Sequence, residues 1–415
     1  MSSIRMRSKR PIEFSILYTA TLCMLALGAV MVYSASSAES LLNGSQDPSF
    51  YLKRYVLFGL AGLMVLHLVS RFGLQFVERL TPMLLMGAFA LTVAVMVPGL
   101  GVTVNGATRW LGAGPLQFQP SELLKLALML YAVRLLAARP ESVVRIGDLA
   151  RPLLLVVGAA CALLMKQPDM GTALVICFAL VALLTAAGTP IRNLGLMGGG
   201  LAGLALVLTL IEPYRMARLT AFLDPFSDPE NTGFQAVQAL TAVGSGGLVG
   251  VGLGESVQKI FYLPEAHTDM ILAIIGEELG LLGILAVALL YCMIGYAGLR
   301  AAKSAGDRYT KLLAVGITSL IVCQATLNFF AVLGMAPLTG VPLPFISYGA
   351  TNLIVLLGGM GLLLGIAGGG RAPARGAKPR LRGIDGGRSD HRGDSGGRDR
   401  RARGAGPGRS GRAAG

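Results

Sequence analysis

Ten long stretches of mostly apolar residues, separated by short polar segments, follow one another between residues 14 and 367. An α-helix needs about 20 apolar residues to cross the hydrocarbon core of a bilayer, and most of the stretches are close to that length. The pattern therefore predicts an all-α, polytopic membrane protein of about ten transmembrane helices, of which the eighth is long enough to protrude or bend. The predicted spans are residues 14–34, 54–70, 80–98, 119–138, 151–167, 170–188, 192–212, 268–299, 311–333 and 348–367.

The distribution of lysine and arginine orients these helices, because cytoplasmic segments carry an excess of positive charge. With the N-terminus inside, the inner segments before the C-terminal tail hold 15 lysines and arginines, and the outer segments hold 7. The pattern predicts that both chain ends are cytoplasmic. The basic stretch 1–13 precedes an apolar run longer than the roughly 7–15 residues of a signal-peptide core, so we expect that run to remain as the first span.

This orientation puts the unusual loops, 99–118, 167–169, 213–267 and 334–347, on the extracytoplasmic side. The large outer loop 213–267 exceeds the length at which structureless loops are common. Asp228 followed by Pro229 is typical of a helix start, and apolar residues then recur at helical spacing. We therefore predict a short amphipathic helix over 229–243 at the outer surface. The alternative is a re-entrant segment packed among the spans.

Composition agrees with a lipid environment for residues 14–370 and sets the end of the chain apart. Charged residues make up 14% of the chain and hydrophobic residues 53%, whereas a soluble domain has roughly a quarter charged residues. Of the formal net charge of +14, residues 371–415 contribute +9. This Arg/Gly-rich segment has almost no large apolar residue, which predicts a disordered cytoplasmic tail facing anionic lipid. No aromatic residue lies between its arginines, so we expect no nucleic-acid partner.

Metal and nucleotide sites are not visible in the sequence. The five cysteines lie in apolar runs without a Cys-x-x-Cys pair, and the three histidines are scattered, so neither a metal cluster nor a disulfide is predicted. The glycine-rich segment 244–254 lacks the Gly-Lys-Ser/Thr ending and the preceding strand of a phosphate-binding loop. We interpret it as a tight backbone turn, with anion contact as a minor option.

Two charged residues lie inside the fourth predicted span. Glu122 and Lys125 are three residues apart, so they share one face of the helix. Ionisable residues within a membrane are costly and often mark a functional site. A pair that neutralises itself and locks helix packing explains them equally well, and both alternatives stay open at this stage.

Further acids lie where the large outer loop enters the eighth span. Asp269 is expected to be partly desolvated yet reachable from water, which moves the pKa of a carboxyl group towards that of a general base. The simpler alternative is that Asp269 caps the eighth helix. By helical geometry Glu277 is predicted to point into the same interior, and Glu278, nine residues from Asp269, to the opposite face. A packing or gating role suits Glu277 as well as a chemical one.

Four cations are predicted near the outer face: Arg109, Arg215, Arg218 and Lys259. Arginine makes planar, bidentate contacts with phosphate oxygens, so cations converging on an outer carboxylate suit a phosphorylated lipid substrate. Alternatively, each of them anchors its loop to lipid phosphates. Trp110, the only tryptophan, is either an interfacial belt residue or a platform for a sugar ring.

An ordered series of short motifs runs through the outer loops and the adjoining spans. These motifs are Gly106-Ala-Thr-Arg-Trp110, Phe118-Gln-Pro-Ser-Glu-Leu-Leu-Lys125, Gln167-Pro-Asp-Met-Gly-Thr172, Asp224-Pro225 with Gly233 and Gln238, Ser245-Gly-Gly247, Gly252-Leu-Gly254, Gln258-Lys259, Pro264-Glu-Ala-His-Thr-Asp269, Ile275-Gly-Glu-Glu-Leu-Gly280 and Pro342-Leu-Pro-Phe-Ile-Ser-Tyr-Gly349. Together they resemble the SEDS family (shape, elongation, division and sporulation proteins), and its division branch more than its elongation branch. The resemblance extends over about residues 14–367. Gly349-Ala-Thr-Asn352 and Asp269-Met-Ile depart from the family pattern but leave the polar candidates in place.

The resemblance implies a peptidoglycan glycosyltransferase that polymerises lipid II, the undecaprenyl-pyrophosphate-linked disaccharide-peptide, during cell division. It implies a ten-span fold in the bacterial cell membrane at the division septum. It also implies a class B penicillin-binding protein as the partner that supplies transpeptidation, together with other division proteins. Asp269 matches the family's catalytic aspartate, which would deprotonate the acceptor sugar for an inverting attack on the donor.

The resemblance also implies which residues contact the substrate. The candidates for binding the pyrophosphate and the sugars are Arg109, Trp110, Glu122, Lys125, Arg215, Arg218, Lys259, His267, Glu277 and Ser347. A divalent cation, Mg²⁺ or Mn²⁺, is a further candidate for stabilising the leaving group. Two alternative functions stay open: a flippase that moves lipid II outwards, and a non-catalytic scaffold that recruits the partner synthase.

Overall fold

A computed structural model describes residues 11–42, 47–104, 106–113, 116–144, 146–260 and 262–369. The predictions for most of the basic N-terminus and for the tail 371–415 fall outside these residues. Within them the chain is predominantly helical. The helices are α1 (Ile12–Leu42), α2 (Phe50–Arg71), α3 (Leu74–Ala94), α4 (Pro120–Ala138), α5 (Ile146–Leu149), α6 (Leu155–Lys166), α7 (Met170–Ala187), α8 (Ile191–Ile211), α9 (Pro213–Leu223), α10 (Phe234–Ser245), α11 (Ile271–Ser304), α12 (Arg308–Val332) and α13 (Ala350–Ala367).

The predicted polytopic membrane fold is confirmed. Ten helices coincide with the ten predicted spans, and α5, α9 and α10 lie between them. By length and composition, eight helices of the described residues can cross a membrane. The orientation with both ends inside stays a prediction. The largest boundary error is in α1, which ends at Leu42, eight residues after the predicted 34. Helix α3 begins six residues before the predicted 80, so that Glu78 and Arg79 lie in its first turns.

The outer loop 99–118 contains a small antiparallel sheet that was not predicted. Its strands are β1 (Gly101–Val104), β2 (Ala107–Ala113) and β3 (Leu116–Phe118), in the order β1-β2-β3. Gly106 turns the chain between β1 and β2 with a φ of 74°, a conformation that glycine adopts without strain. Trp110 lies in β2 opposite Val102. The sheet ends just before α4 and therefore directs the chain into that helix.

The large outer loop holds two helices, α9 and α10, where one was predicted. The predicted start of the second helix at Asp228–Pro229 is wrong, since α10 begins at Phe234. Asp228 instead closes the preceding turn, because its carboxylate accepts hydrogen bonds from Asn231 Nδ2 (2.9 Å) and from the amide of Thr232 (3.1 Å). α10 packs against α11 and is not isolated on the surface.

Helix α11 is broken at Gly280, where φ is 66° and ψ is −164°. The glycine-rich segment 246–252 runs alongside the break and supplies the backbone hydrogen bonds that the helix loses there. These bonds are Val251 N to Glu277 O (2.9 Å), Gly252 N to Glu278 O (3.1 Å), Leu281 N to Gly247 O (2.9 Å) and Leu282 N to Leu248 O (3.1 Å). The break in α11 and the glycine-rich turn therefore stabilise each other through these hydrogen bonds. The part of α11 before the break, Ile271–Leu279, forms a short half-helix.

Helix α12 lies in the middle of the bundle, where it contacts α4, α7, α11 and α13. It is largely buried, and the segment 333–349 leads from its end into α13. This segment meets the turn that precedes α11, and the two together form the surroundings of Asp269.

Candidate active site

A strained turn carries Asp269 to the start of α11. Glu265 has a φ of 57°, and its carbonyl oxygen accepts hydrogen bonds from the amides of Thr268 (3.1 Å) and Met270 (3.2 Å). The residue that caps α11 is Met270, and no side chain donates or accepts at this cap. Asp269 is therefore not the N-cap of the eighth span, which removes the simpler explanation for its position.

The turn 264–269 is clamped from three sides. From α12, Asn328 Nδ2 donates to the carbonyl oxygens of Asp269 (2.7 Å) and Val341 (2.8 Å). The amide of Tyr348 donates to the carbonyl oxygen of His267 (3.0 Å). Gln235 Nε2 of α10 lies 3.5 Å from the carbonyl oxygen of Pro264. A side chain on such a turn is held in place before any substrate arrives.

The predicted binding residues His267 and Ser347 support this clamp. The His267 ring is buried, with its centroid 4.4 Å from the ring of Tyr51 and 5.7 Å from that of Tyr348. Ser347 is also buried, and its hydroxyl accepts a hydrogen bond from the amide of Leu343 (2.8 Å). Both residues therefore pack behind the turn that carries Asp269 and stabilise its surroundings.

The carboxylate of Asp269 lies in a half-buried, electrostatically mixed position. Desolvation, reinforced by the negative charge of Glu265, raises the pKa of Asp269 from its ordinary value of 3.8 to about 6, against the opposing charge of Arg218. Arg218 donates from Nη1 to the carbonyl oxygen of Leu338 (2.7 Å). Gly340 is so near that a Cβ on it would lie 3.7 Å from Asp269 Oδ2. A carboxylate with a pKa of about 6 is ionised at neutral pH and is still a useful proton acceptor.

Glu122 and Lys125 form a buried ion pair of 2.6 Å. Lys125 Nζ also lies 2.6 Å from Gln324 Oε1 and 3.3 Å from Asn352 Oδ1, and Gln324 donates to the carbonyl oxygen of Pro342 (2.8 Å). The pair therefore connects α4 to α12, to α13 and to the segment behind Asp269. Of the two alternatives, the geometry favours the packing role.

The structure reassigns Lys259, Glu277 and Glu278. Lys259 Nζ is buried 2.9 Å from Glu278 Oε1 and also donates to the Gly254 carbonyl oxygen (2.6 Å). Glu278 additionally accepts a hydrogen bond from Ser34 Oγ (2.6 Å). The prediction that Glu278 faces away from the interior is wrong, because the break at Gly280 and the neighbouring loop bury this side of the helix.

Glu277 is likewise saturated by the loop. Its carboxylate accepts hydrogen bonds from Ser256 Oγ (2.5 Å) and from the amide of Val257 (3.0 Å). Glu277, Glu278 and Lys259 form the group that we call the loop lock, because it holds segment 246–259 against α11. Their polar atoms stabilise this loop, so none of them enters the function proposed below.

Arg109 and Arg215 converge on a different place, the turn 165–168. Arg109 donates from Nε to the carbonyl oxygen of Gln167 (3.0 Å) and from Nη2 to that of Pro168. Arg215 donates from Nη2 to the carbonyl oxygen of Met165 (3.0 Å). The predicted cations thus divide into separate groups, and Arg218 is the cation that acts on Asp269.

A cavity of about 1060 Å³ opens beside this turn, between α6, α7 and α8. Its wall is mostly aliphatic, and Arg109, Lys166, Arg215 and Glu212 lie at its outer end. Trp110 is half-buried in the neighbouring strand β2. An apolar groove with cations at one end suits an amphipathic anion with a long hydrocarbon tail.

The described part of the chain contains no group of three or more His, Cys, Asp or Glu side chains spaced to hold a metal ion. The Mg²⁺ or Mn²⁺ expectation therefore gains no ligand set from the structure. Sequence reasoning missed two residues of the site, Glu265 and Asn328. An asparagine in the middle of an apolar span was a visible signal for the second, whereas only the folded turn shows how near Glu265 lies to Asp269.

Comparisons with known proteins show to which family this chain is similar. The family model described as Cell cycle protein, which covers FtsW, RodA and SpoVE, matches residues 15–370. The chain is 44% identical over 347 residues to the probable peptidoglycan glycosyltransferase FtsW of Thioalkalivibrio sulfidiphilus, covering 83% of this chain and 86% of that protein. It is 37% identical over 366 residues to stage V sporulation protein E of Bacillus subtilis, covering 87% of this chain and 99% of that protein.

Solved structures share the fold. A chain of a peptidoglycan synthase complex that coordinates polymerization and crosslinking is similar with a TM-score of 0.68 and 31% identity, covering 85% of this chain and 96% of that chain. The rod shape determining protein RodA of Thermus thermophilus has a TM-score of 0.62 and 29% identity, covering 85% and 95%. The motifs, the ten helices and these matches together show that the chain belongs to the SEDS family, the FtsW/RodA/SpoVE cell cycle proteins.

Proposed function

We propose that this protein is a peptidoglycan glycosyltransferase that polymerises lipid II into glycan strands at the division septum, with Asp269 as the general base. The observation that carries the proposal is the position of Asp269. It is a clamped, half-buried carboxylate with a pKa raised to about 6, on a turn outside the spanning part of α11. The names of the FtsW relatives support the reaction class.

In the proposed reaction Asp269 accepts the proton of an acceptor sugar hydroxyl. The resulting oxygen attacks the anomeric carbon of the donor from the face opposite the pyrophosphate. A carbon–oxygen bond forms on one face while the bond to the pyrophosphate breaks on the other, so the configuration at this carbon is inverted. The leaving group departs with additional negative charge, and Arg218, the cation that acts on Asp269, is the proposed group to stabilise it.

The cavity between α6, α7 and α8 is the proposed place for one lipid substrate. Its aliphatic wall suits a polyprenyl chain, and the outer cations Arg109, Lys166 and Arg215 suit the pyrophosphate to which that chain is attached. Arg218 lies on α9, which follows this cavity's last helix, and is electrostatically coupled to Asp269. α9 thus connects the lipid-binding groove with the reacting groups.

A class B penicillin-binding protein is the proposed partner. The similar synthase complex, in which polymerization and crosslinking are coordinated, supports this assignment. Location at the septum rests on the similarity to division proteins.

The test is polymerisation of purified lipid II in liposomes that contain the protein and its partner. Replacing Asp269→Asn removes the base, and we expect the initial rate of glycan synthesis to fall about 10²–10⁴-fold. The matched control is Asp224→Asn, which removes an exposed acid of the same outer loop and should keep the rate. A fully active Asp269→Asn protein would contradict the proposed role.

The same preparation separates the two alternative functions. A flippase would move fluorescent lipid II across the liposome membrane, and neither the wild type nor Asp269→Asn would make polymer. A scaffold would retain partner binding without movement or polymer. Wild-type polymer that disappears with Asp269→Asn supports the enzyme over both.

A further inference from the structure

The proposed reaction joins two molecules of one lipid, so it needs a second binding site besides the cavity between α6, α7 and α8. In the donor, the pyrophosphate is attached to the carbon that is attacked. Arg218, the proposed group that stabilises the leaving pyrophosphate, lies on α9, directly after the last helix of that cavity. Under the proposed function this cavity therefore serves the donor. In the acceptor, a disaccharide separates the attacking hydroxyl from the pyrophosphate, so the acceptor anion is bound elsewhere around Asp269.

A half-buried cation that could hold this second anion is Arg54, near the start of α2. Its Cζ lies 4.5 Å from the centre of the Phe50 ring, and its Nη1 lies 3.5 Å from the Tyr348 hydroxyl. In the part of the chain that the structure describes, both the ring contact and the hydrogen bond of Arg54 are thus with neutral groups. A guanidinium has five N–H donors, so most of them remain available to a ligand.

The preceding residue, Lys53, is a cation in the opposite situation. Its side chain is exposed, and its Nζ lies 2.7 Å from Asp47 Oδ2. Arg54 is instead packed on an aromatic ring that fixes its position and supplies no counter-charge. Stacking on a ring face leaves the edge of the guanidinium free for planar, bidentate contacts with phosphate oxygens. Arg54 is therefore held in place for an anion before that anion arrives.

Tyr348 connects Arg54 with the turn that carries Asp269. The Tyr348 amide donates to the carbonyl oxygen of His267 (3.0 Å). Its ring centroid lies 5.1 Å from that of Tyr51, whose ring is in turn 4.4 Å from the ring of His267. The Tyr348 hydroxyl accepts the hydrogen bond from Arg54, so its own hydrogen can be donated to the same anion. The two side chains thus form an anion site beside the turn.

The location of Arg54 on a membrane helix suits the headgroup of a lipid. α2 has the length and composition of a membrane span. Further along α2, the exposed side chains of Leu57, Leu60 and Met64 line the outside of the bundle. A lipid whose pyrophosphate is bound at Arg54 can therefore keep its hydrocarbon chain beside α2, within the bilayer.

We propose that Arg54 and Tyr348 bind the pyrophosphate of the acceptor lipid and thereby bring its terminal sugar hydroxyl to Asp269. This inference rests on the proposed function, because a reaction between two lipid-linked sugars is what requires a second anion site. Donor and acceptor then lie against different helices, and their sugars meet at Asp269. Such an arrangement agrees with attack from the face opposite the leaving group.

The experiment supplies the two substrates separately to the full-length protein and its partner in liposomes. The donor probe is lipid II in which hydrogen replaces the terminal sugar hydroxyl, so it cannot act as acceptor. The acceptor probe is lipid II in which a methylene group replaces the anomeric oxygen, so it cannot act as donor. We expect Arg54→Ala to raise the acceptor concentration for half-maximal rate about tenfold, because charge-assisted hydrogen bonds are lost. The corresponding donor concentration should not change.

Three further variants test the individual groups. Arg54→Lys keeps the charge but loses the planar fork, so it should raise the acceptor concentration by less than Arg54→Ala. Tyr348→Phe keeps the ring and removes the hydroxyl, and it should also raise the acceptor concentration by less. Lys53→Ala is the matched control: it removes the adjacent cation, which is paired with Asp47, and should leave both concentrations unchanged.

The source of the bound anion is tested in two ways. A disaccharide-peptide acceptor without pyrophosphate should react at equal rates with the wild type and with Arg54→Ala. Phosphatidylglycerol added to the liposomes should leave the acceptor concentration of the wild type unchanged. A rise that appears in the wild type and not in Arg54→Ala would assign Arg54 to bulk phospholipid and overturn the inference.

Three other results for Arg54→Ala would also overturn the inference: an unchanged acceptor concentration, equal rises for donor and acceptor, or a lower maximal rate with both concentrations unchanged. Each of them leaves the proposed function intact as long as the wild type makes polymer and Asp269→Asn does not. An active Asp269→Asn protein would reject the proposed function, and the acceptor site with it.

Discussion

The two ends of the half-helix Ile271–Leu279 carry acids of the same type in opposite circumstances. Before its start, Asp269 is half-buried, and burial together with the charge of Glu265 raises its pKa to about 6 against the charge of Arg218. Near its end, Glu277 and Glu278 are buried and bind partners from segment 246–259, with Lys259 Nζ 2.9 Å from Glu278 Oε1. The difference shows that residue type does not separate chemistry from packing here. What separates them is whether the carboxylate has already found its partners.

The largest stability effect is expected at the loop lock. Replacing Glu278→Leu leaves the Lys259 ammonium buried without its partner, and we expect the free energy of unfolding to fall by about 3–5 kcal/mol. Thermal unfolding in detergent measures this loss. The double variant Lys259→Leu/Glu278→Leu removes both charges and should recover most of it. A double variant as unstable as the single one would mean that the ion pair is not the source of the effect.

The contact between α11 and the glycine-rich segment should be nearly as sensitive. A Cβ added by Gly280→Ala would lie 2.6 Å from the carbonyl oxygen of Leu248, on a residue with a φ of 66°. Because backbone must move, we expect a loss of about 2–4 kcal/mol. Gly247→Ala is the matched control: it has a φ of 54° but nothing within 4 Å, and it should cost about 1 kcal/mol. Equal losses would show that conformational strain alone matters.

Replacing Asp269 should stabilise the folded protein at neutral and alkaline pH, unlike the two substitutions above. Its pKa is raised from 3.8 to about 6 on folding, so its contribution favours the folded state at low pH and is lost as pH rises from about 4 to 6. An uncharged residue escapes that loss. Asp269→Asn should therefore be more stable than the wild type by about 2 kcal/mol at pH 8, allowing for its partial exposure, and equally stable near pH 4. Unfolding midpoints at the two pH values check this, and a destabilised variant at pH 8 would contradict it.

The smallest expected effect separates the two groups of arginines. Arg218 favours the ionised form of Asp269. In Arg218→Ala, the pH below which the polymerisation rate falls should therefore rise by about half a pH unit. Arg109 lines the cavity between α6, α7 and α8. Arg109→Ala should therefore raise the lipid II concentration needed for half-maximal rate without changing the pH at which the rate falls. Steady-state rates over lipid II concentration and pH distinguish these outcomes. If Arg109→Ala also changed the pH at which the rate falls, the two groups of arginines would act on one site.

The outer loops show where prediction from sequence stopped. The bend in the eighth span and the turn at 244–254 were both predicted, because glycine-rich stretches and an overlong helix are local signals. The sheet at 101–118 was missed, since its short strands gain stability only from pairing with each other. The start of α10 was placed too early because Asp228 can cap a helix or close a turn, and the local sequence is compatible with both.

The structure keeps Asp269 as the central candidate, and it gives several of the other predicted site residues partners within the chain. Asp269 stood out by its place in the motif and by its passage from loop to helix. Lys259 and Glu277 were expected among the substrate contacts, yet they bind segments of their own chain. Lys259 and Glu278 are 19 positions apart, and Ser34, which donates to Glu278, is 244 positions away. No local pattern predicts such contacts.

The apolar stretches by themselves determined the number and position of the membrane helices, because a bilayer acts on each helix separately. The charges between them determine the predicted orientation for the same reason. Only the tertiary structure decided which charged groups neutralise one another and which keep an accessible carboxylate. Burial and hydrogen bonding at one residue depend on the packing of distant segments, and here that packing saturates Glu278 while it leaves Asp269 beside Glu265 and Arg218.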